Sequence, residues 1–117
     1  MGNFKDLKVW QKAKNLAVRI YKLTDEGKFF KDFELKGQVR KSAVSIPSNI
    51  AEGDELGSDK QSIRHFLIAR GSTAELRTQL IIAFEIEYLN KNIFDELEKE
   101  CSEISAMLTK LIKHRST

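Results

Sequence analysis

The chain has 117 residues, 41% hydrophobic and 32% charged, the balance of one ordinary globular domain with room for a real core. Its 20 Lys and Arg against 17 Asp and Glu leave a net charge of +3, too mild to imply a nucleic-acid partner by itself. One cysteine, Cys101, excludes an internal disulfide and a cysteine-based zinc site, and apolar runs of only a few residues exclude a membrane span.

The opening Met1-Gly-Asn-Phe-Lys-Asp lacks the apolar stretch of a signal peptide, so a cytoplasmic location is expected. A first helix is expected after Asn3 or Asp6, either of which can cap its free N–H groups. Trp10, Ala13, Ala17, Ile20 and Thr24 recur at helical spacing, with Leu16 and Leu23 alongside. Asp25-Glu-Gly27 breaks the pattern, with Gly27 suited to a left-handed stop. Phe29, Phe30 and Phe33 fall in the connection and are expected to pack down, since three exposed phenylalanines would make a sticky patch.

The second helix is expected from about Asp32 to Glu52, with Leu35, Val39, Ala43, Ile46 and Ile50 as its core stripe and Gly53 as its stop. It contains the only proline, Pro47, which removes one backbone hydrogen bond and crowds the carbonyl of Ala43. Asn49 is placed to serve backbone that the proline leaves open. Gln38, Lys41, Ser45, Asn49 and Glu52 form a polar stripe opposite the core residues, read either as a solvated face or as a ligand-binding one. Lys36, Arg40 and Lys41 put positive charge near the helix start, where the macrodipole disfavours it, which favours a binding role. Lys110, Lys113 and Arg115 sit near a C-terminus, where the dipole alone explains them.

After a short turn over Asp54 to Gly57, Ser58 and Gln61 form a capping box for a long third helix, about Asp59 to Leu89. One apolar stripe there holds Ile63, Phe66, Leu67, Ala74, Ile81, Phe84 and Tyr88. Ile68, Leu76, Leu80, Ile82, Ala83 and Ile86 point elsewhere. A bundle of this size cannot bury both sets, so the third helix is expected to face another copy as well as its own core. Arg70 and Arg77 lie beside the first stripe. They read either as ion pairs, with Glu75 and Glu52 as candidate carboxylates, or as phosphate-binding groups. Gly71 at mid-helix points to close approach of another helix.

Asn90-Lys-Asn92 is a turn, with Asn92 the expected cap of a fourth helix ending near Arg115. Its stripe is Phe94, Leu97, Cys101, Ile104, Leu108 and Leu111, which makes Cys101 a small buried hydrophobe. Short turns make successive helices antiparallel, so the expected fold is all-α, an antiparallel up-down four-helix bundle of one domain over 1–117.

Catalytic and metal chemistry find no support. The residues three before His65 and His114 are Ser62 and Leu111, so the Glu-x-x-His of di-iron bundles is absent. Gly53 and Gly57 lack the lysine and spacing of a phosphate loop, and no nucleophile elbow occurs. No catalytic residue, no metal and no cofactor is expected, and the protein is read as not an enzyme.

A resemblance is carried by Leu7 to Ala13, by Phe30 to Gly53, and by Phe66-Leu-Ile-Ala-Arg-Gly71-Ser72-Thr-Ala-Glu75-Leu76. Its distinctive parts are Ser45-Ile-Pro47-Ser-Asn49-Ile-Ala-Glu52-Gly53 and Gly71-Ser72-x-x-Glu75-Leu76. Over about Phe4 to Ile112 the chain resembles the bacterial four-helix-bundle family of 23S rRNA intervening-sequence proteins. It is also similar to the accessory variability proteins of diversity-generating retroelements. Glu34 departs from the glycine usual before Leu35. The resemblance implies a homopentameric barrel of bundles and, from the retroelement members, contact with nucleic acid and a reverse transcriptase through a positive surface. Carried over residue by residue, only general basic positions transfer: Lys36, Arg40, Lys41, Arg70 and Arg77. The leading expectation is a non-enzymatic homo-oligomer that binds structured RNA or DNA. The alternative is an adaptor whose polar stripe recognises a partner polypeptide, with no membrane in either case.

Overall fold

Amphipathic spacing yields four long helices and one short one in a computed structural model that describes residues 3–56 and 58–116. A 3-10 turn at Phe4–Asp6 leads into α1 (Lys8–Leu23), α2 (Gly27–Lys31), α3 (Phe33–Glu55), α4 (Asp59–Glu85) and α5 (Lys91–Ser116). Among the described residues there is no strand, and no helix is long and apolar enough to cross a membrane.

The helix order follows from which side chains meet. Asn49 reaches His65 and Ser45 reaches Ser72, so α3 and α4 run antiparallel. Phe84 stacks on Phe94 at 4.6 Å while Arg70 meets Thr109, so α4 and α5 do the same. Lys12 meets Glu103 and Arg19 meets Glu96, which sets α1 against α5. With α1 also packed on α3, the result is an up-down helical bundle. At 1.5 Å per residue α4 is about 40 Å long, and the molecule measures 44 × 20 × 20 Å.

The core stripes of three helices stand as expected. Ala13, Leu16, Ala17 and Ile20 of α1, Val39, Ala43, Ile46 and Ile50 of α3, and Leu97, Cys101, Ile104 and Leu108 of α5 are buried. Trp10, Leu35, Phe94 and Leu111 pack at the edge. On α4 the expected stripe is corrected. The buried face is Phe66, Ala69, Thr73, Leu76, Leu80 and Ala83, while Leu67, Ala74 and Ile81 are exposed. Apolar side chains surround this helix, so periodicity marks no single inward face.

Several boundaries also differ. Asn3 caps only the 3-10 turn, and α1 starts without a side-chain cap. α1 ends at Leu23, where the buried Thr24 hydroxyl bonds the Ile20 carbonyl at 2.7 Å. Gly27 does take a left-handed φ of +65°, but it opens α2 rather than closing α1. Asn90, not Asn92, caps α5 by accepting the Ile93 N–H at 2.9 Å. Ser58 caps α4 through the Gln61 N–H, and the two side chains bond each other at 3.3 Å. Gly57, in the expected turn before it, lies outside the described residues.

α3 runs unbroken through a buried Pro47 and continues past Gly53 to Glu55, which corrects the reading of Gly53 as a stop. Gly53 is instead a close approach. A Cβ there would lie 2.6 Å from Cε1 of the core residue Phe66, and the Gly53 carbonyl accepts a 2.6 Å bond from Ser62. No other helix of this chain approaches Gly71, since a Cβ built on it meets nothing within 4 Å outside its own helix.

Candidate nucleic-acid interface

Within the polar stripe of α3, Gln38, Lys41 and Glu52 are exposed while Ser45 and Asn49 are half-buried against α4. Ser45 shares a 2.8 Å bond with Ser72, and Asn49 Nδ2 donates to the Ser45 carbonyl at 2.9 Å and to the Ser45 hydroxyl at 3.1 Å. Asn49 Oδ1 meets His65 Nδ1 at 3.0 Å, and Glu52 lies 3.3 Å from the same nitrogen. These five side chains form a seam that sets the register of α3 on α4. Asn49 serves the Ser45 carbonyl rather than that of Ala43, which Pro47 deprives of its donor. At the far end of the seam Gln38, Lys41, Glu75 and Gln79 line a cleft of ≈ 230 Å³ with Ser42 and Ser45.

The five expected basic residues divide into two groups. Arg77 is bound through Nε and Nη2 to Glu98 of α5, whose carboxylate pushes the guanidinium further above its ordinary range. Arg70 donates to Thr109 Oγ1 at 3.2 Å. Both therefore face α5, and neither takes the carboxylates expected for it. Glu52 faces His65, and Glu75 lies at the α3–α4 cleft. The non-local partner Glu98 left no signal in the chain next to Arg77.

Lys36, Arg40 and Lys41 share the N-terminal half of α3, and two of them lie over aromatic rings. Lys36 Nζ stands 4.0 Å from the Phe30 ring centre and 4.6 Å from that of Phe33. The Arg40 guanidinium stands 4.4 Å from the Tyr21 ring and donates to Thr24 Oγ1 at 2.8 Å, with Asp25 loosely placed at 3.9 Å. Such contacts hold a cation without neutralising it. Lys41 is exposed.

The phenylalanines of the connection are corrected with this. Phe29 is buried against Tyr88, but Phe30 is 42% and Phe33 72% exposed. Phe33 shares an open groove of ≈ 480 Å³ with Lys28, Lys31, Asp32 and Tyr88. Asp32 is the one carboxylate there and is already engaged. It accepts the Leu35 N–H, capping α3, and the Tyr88 hydroxyl, and these bonds hold it below its ordinary range. Sequence reasoning noted the three rings but missed that Lys36 stands over two of them and that Lys28 and Lys31 line the groove of Phe33; the interleaving of Phe and Lys over 28–36 was the available signal.

Chemistry at other groups is subdued. Burial pushes the Cys101 thiol up to about 12, leaving it protonated and unreactive. Among the described residues no group of three or more His, Cys, Asp or Glu is arranged to hold a metal ion.

The fold and this corner define an all-helical bundle protein with a basic, aromatic end to one helix. The chain belongs to the 23S rRNA-intervening sequence protein family, whose model matches residues 5–110. It is similar to a solved structure of a protein of unknown function from the S23 ribosomal protein family of Bacteroides thetaiotaomicron. The TM-score is 0.84 and the identity 28%, over 90% of this chain and 98% of that one. No curated protein matches the chain.

Proposed function

We propose that the protein is a non-enzymatic, cytoplasmic homo-oligomer that binds structured RNA through phosphate contacts. The observation that carries this reading is the cluster of Lys36, Arg40 and Lys41 on one end of α3, two of them held over rings, with Asp25 at 3.9 Å from Arg40. Repetition of that cluster by symmetry would let several modest patches act together on one backbone. Arg70 and Arg77 belong to the α4–α5 contact, and the binding surface is assigned to α3 instead.

Self-association rests on the outer face of α4. Of the ten large exposed hydrophobics among the described residues, Leu67, Ile68, Ile81 and Ile82 lie on that helix and Ile86 caps its end. A face so apolar calls for a partner, and the family resemblance favours a pentamer. The adaptor reading is weaker, because Ser45, Asn49 and Glu52 of the polar stripe are engaged with α4.

The test is a fluorescence-anisotropy titration of a structured RNA at several salt concentrations, with the Arg40→Glu, Lys41→Glu double variant beside the natural protein. Affinity should fall linearly in log salt, and the double variant should lose binding while keeping the oligomer mass. Absence of binding at low salt would discard the nucleic-acid reading.

A further inference from the structure

We propose that the corner formed by α2 and the start of α3 is a stacking platform for unpaired bases, so that the preferred ligand contains single-stranded nucleic acid. This rests on the reading of the protein as a nucleic-acid binder and specifies which form of nucleic acid it takes.

The first ground is exposure that folding does not explain. Phe33 is 72% exposed although Phe29, four residues earlier, is buried. Phe30 and Phe33 meet edge-on with centroids 6.4 Å apart, and the Lys36 ammonium stands 4.0 Å and 4.6 Å from their centres. A lysine stem can shield part of a ring, but here it leaves the Phe33 ring largely in water.

The second ground is charge. The groove beside Phe33 is lined by Lys28 and Lys31, and its one carboxylate, Asp32, is committed to the Leu35 N–H and the Tyr88 hydroxyl. Lys36 stands over the rings, and Arg40 follows one helical turn on, about 6 Å along the axis, over a third exposed ring, Tyr21. Aromatic faces alternating with cations are what a single strand needs: its bases stack on the rings while the cations track its phosphates. A duplex hides its base faces and would engage the cations alone. An apolar protein surface would gain from the rings but would have to desolvate three lysines, which disfavours it.

The experiment is anisotropy of a labelled, unstructured oligonucleotide of about 12 nucleotides, within the usual site sizes of single-strand binders, against a duplex of the same length. Phe33→Ala should weaken the single strand by roughly 5- to 150-fold, on the worth of one ring–base stack, with the slope in log salt unchanged. Phe33→Leu should weaken it alike, since it keeps apolar area and loses the flat face. Lys36→Ala should reduce the salt slope, and duplex binding should not respond to either Phe33 variant. The exposure of Phe33 means that these variants fold, which a melting curve checks.

Single-strand affinity unchanged in both Phe33 variants would overturn the proposal. Retention by Phe33→Leu with loss in Phe33→Ala would also overturn it, indicating apolar docking instead of stacking. A changed oligomer mass in Phe30→Ala, Phe33→Ala with single-strand binding intact would make the corner a protein contact. Structured RNA bound without any single-strand binding would sink the platform alone. No binding of either would sink the nucleic-acid function too.

Discussion

At Gly53 an added Cβ would fall 2.6 Å from Cε1 and 2.9 Å from Cδ1 of Phe66, a ring with no exposed surface, and 3.1 Å from the Ser62 carbonyl. Neither the ring nor that backbone can retreat without opening the α3–α4 contact. Gly53→Ala gains about 1 kcal/mol of helix propensity against about 1–3 kcal/mol of overpacking. The expected net is a loss, read as a lower urea midpoint at unchanged m-value. A stabilised variant would show that the two helices separate freely there. Glu87 presents the opposite case, with φ +67° in a non-glycine residue. The Tyr88 N–H bonds the Ala83 carbonyl at 2.8 Å and the Glu87 N–H bonds the Phe84 carbonyl at 3.0 Å, so the left-handed residue closes α4. Glycine suits that position better, and Glu87→Gly should stabilise by about 1 kcal/mol, seen as a raised midpoint in the same titration. Gly53 and Glu87 also mark the limits of residue-level reading. That a glycine stood at Gly53 was plain, but whether it ended a helix or admitted a ring depended on Phe66, thirteen residues away in the chain.

Among elements, the junction of α2, α3 and the α4–α5 turn is tied by the 2.9 Å bond from the Tyr88 hydroxyl to Asp32. Asp32 lies below its ordinary 3.8, first because of the Leu35 N–H and then because of Tyr88. Tyr88 lies above its ordinary 10.0, chiefly through its bond to Asp32. The depressed carboxylate contributes stability that is present above its unfolded value and lost as pH falls through its folded one. The raised phenol contributes stability that is present below 10.0 and lost as pH rises through its folded value. The melting temperature attributable to this junction should therefore be flat between about pH 5 and 9 and decline on both sides. Tyr88→Phe should remove the alkaline decline that the junction adds and leave most of the acid one, because the Leu35 N–H is the larger cause of the Asp32 shift. An unchanged alkaline limb in that variant would show that the bond does not persist in solution. The elements themselves were legible wherever apolar residues fell on one side. Val39, Ala43, Ile46 and Ile50 marked the buried face of α3, and Leu97, Cys101, Ile104 and Leu108 marked that of α5. α4 was not legible in this way, since Leu67 and Ile81 are as apolar as Leu76 and Leu80 and only the neighbours in space decide which are buried. The candidate site shares that limit. Lys36, Arg40 and Lys41 could be picked out by their unfavourable place near a helix start, but nothing local reveals that Arg77 is held by Glu98, twenty-one residues on.

At the scale of the molecule the question is whether a second copy covers the outside of α4. Leu67, Gly71, Ala74, Thr78, Ile81 and Glu85 are all exposed and follow at spacings of four, three, four, three and four. The positions from Leu67 to Ile81 have heptad spacing, with small residues between aliphatic ends and Glu85 beyond them. Gly71 decides between a bare surface and an interface, because within this chain a Cβ on it meets nothing within 4 Å. On a bare helix Gly71→Ala would only add about 1 kcal/mol of stability. A larger side chain would be equally harmless there, as Gly71→Leu has the same open space to fill. In a seam the same position is where a second helix comes closest, and Gly71→Leu would force the two apart. The expected result is therefore a lower mass by multi-angle light scattering for Gly71→Leu, with helical content by circular dichroism retained. Ile82→Glu, beside the seam, should do the same by placing a charge against an apolar partner. Because folding and assembly are then linked, the melting temperature of the natural protein should rise with its concentration, while that of Gly71→Leu should not. An unchanged mass in both variants would leave α4 a solvent-facing helix and remove the symmetry on which the repeated basic patches depend.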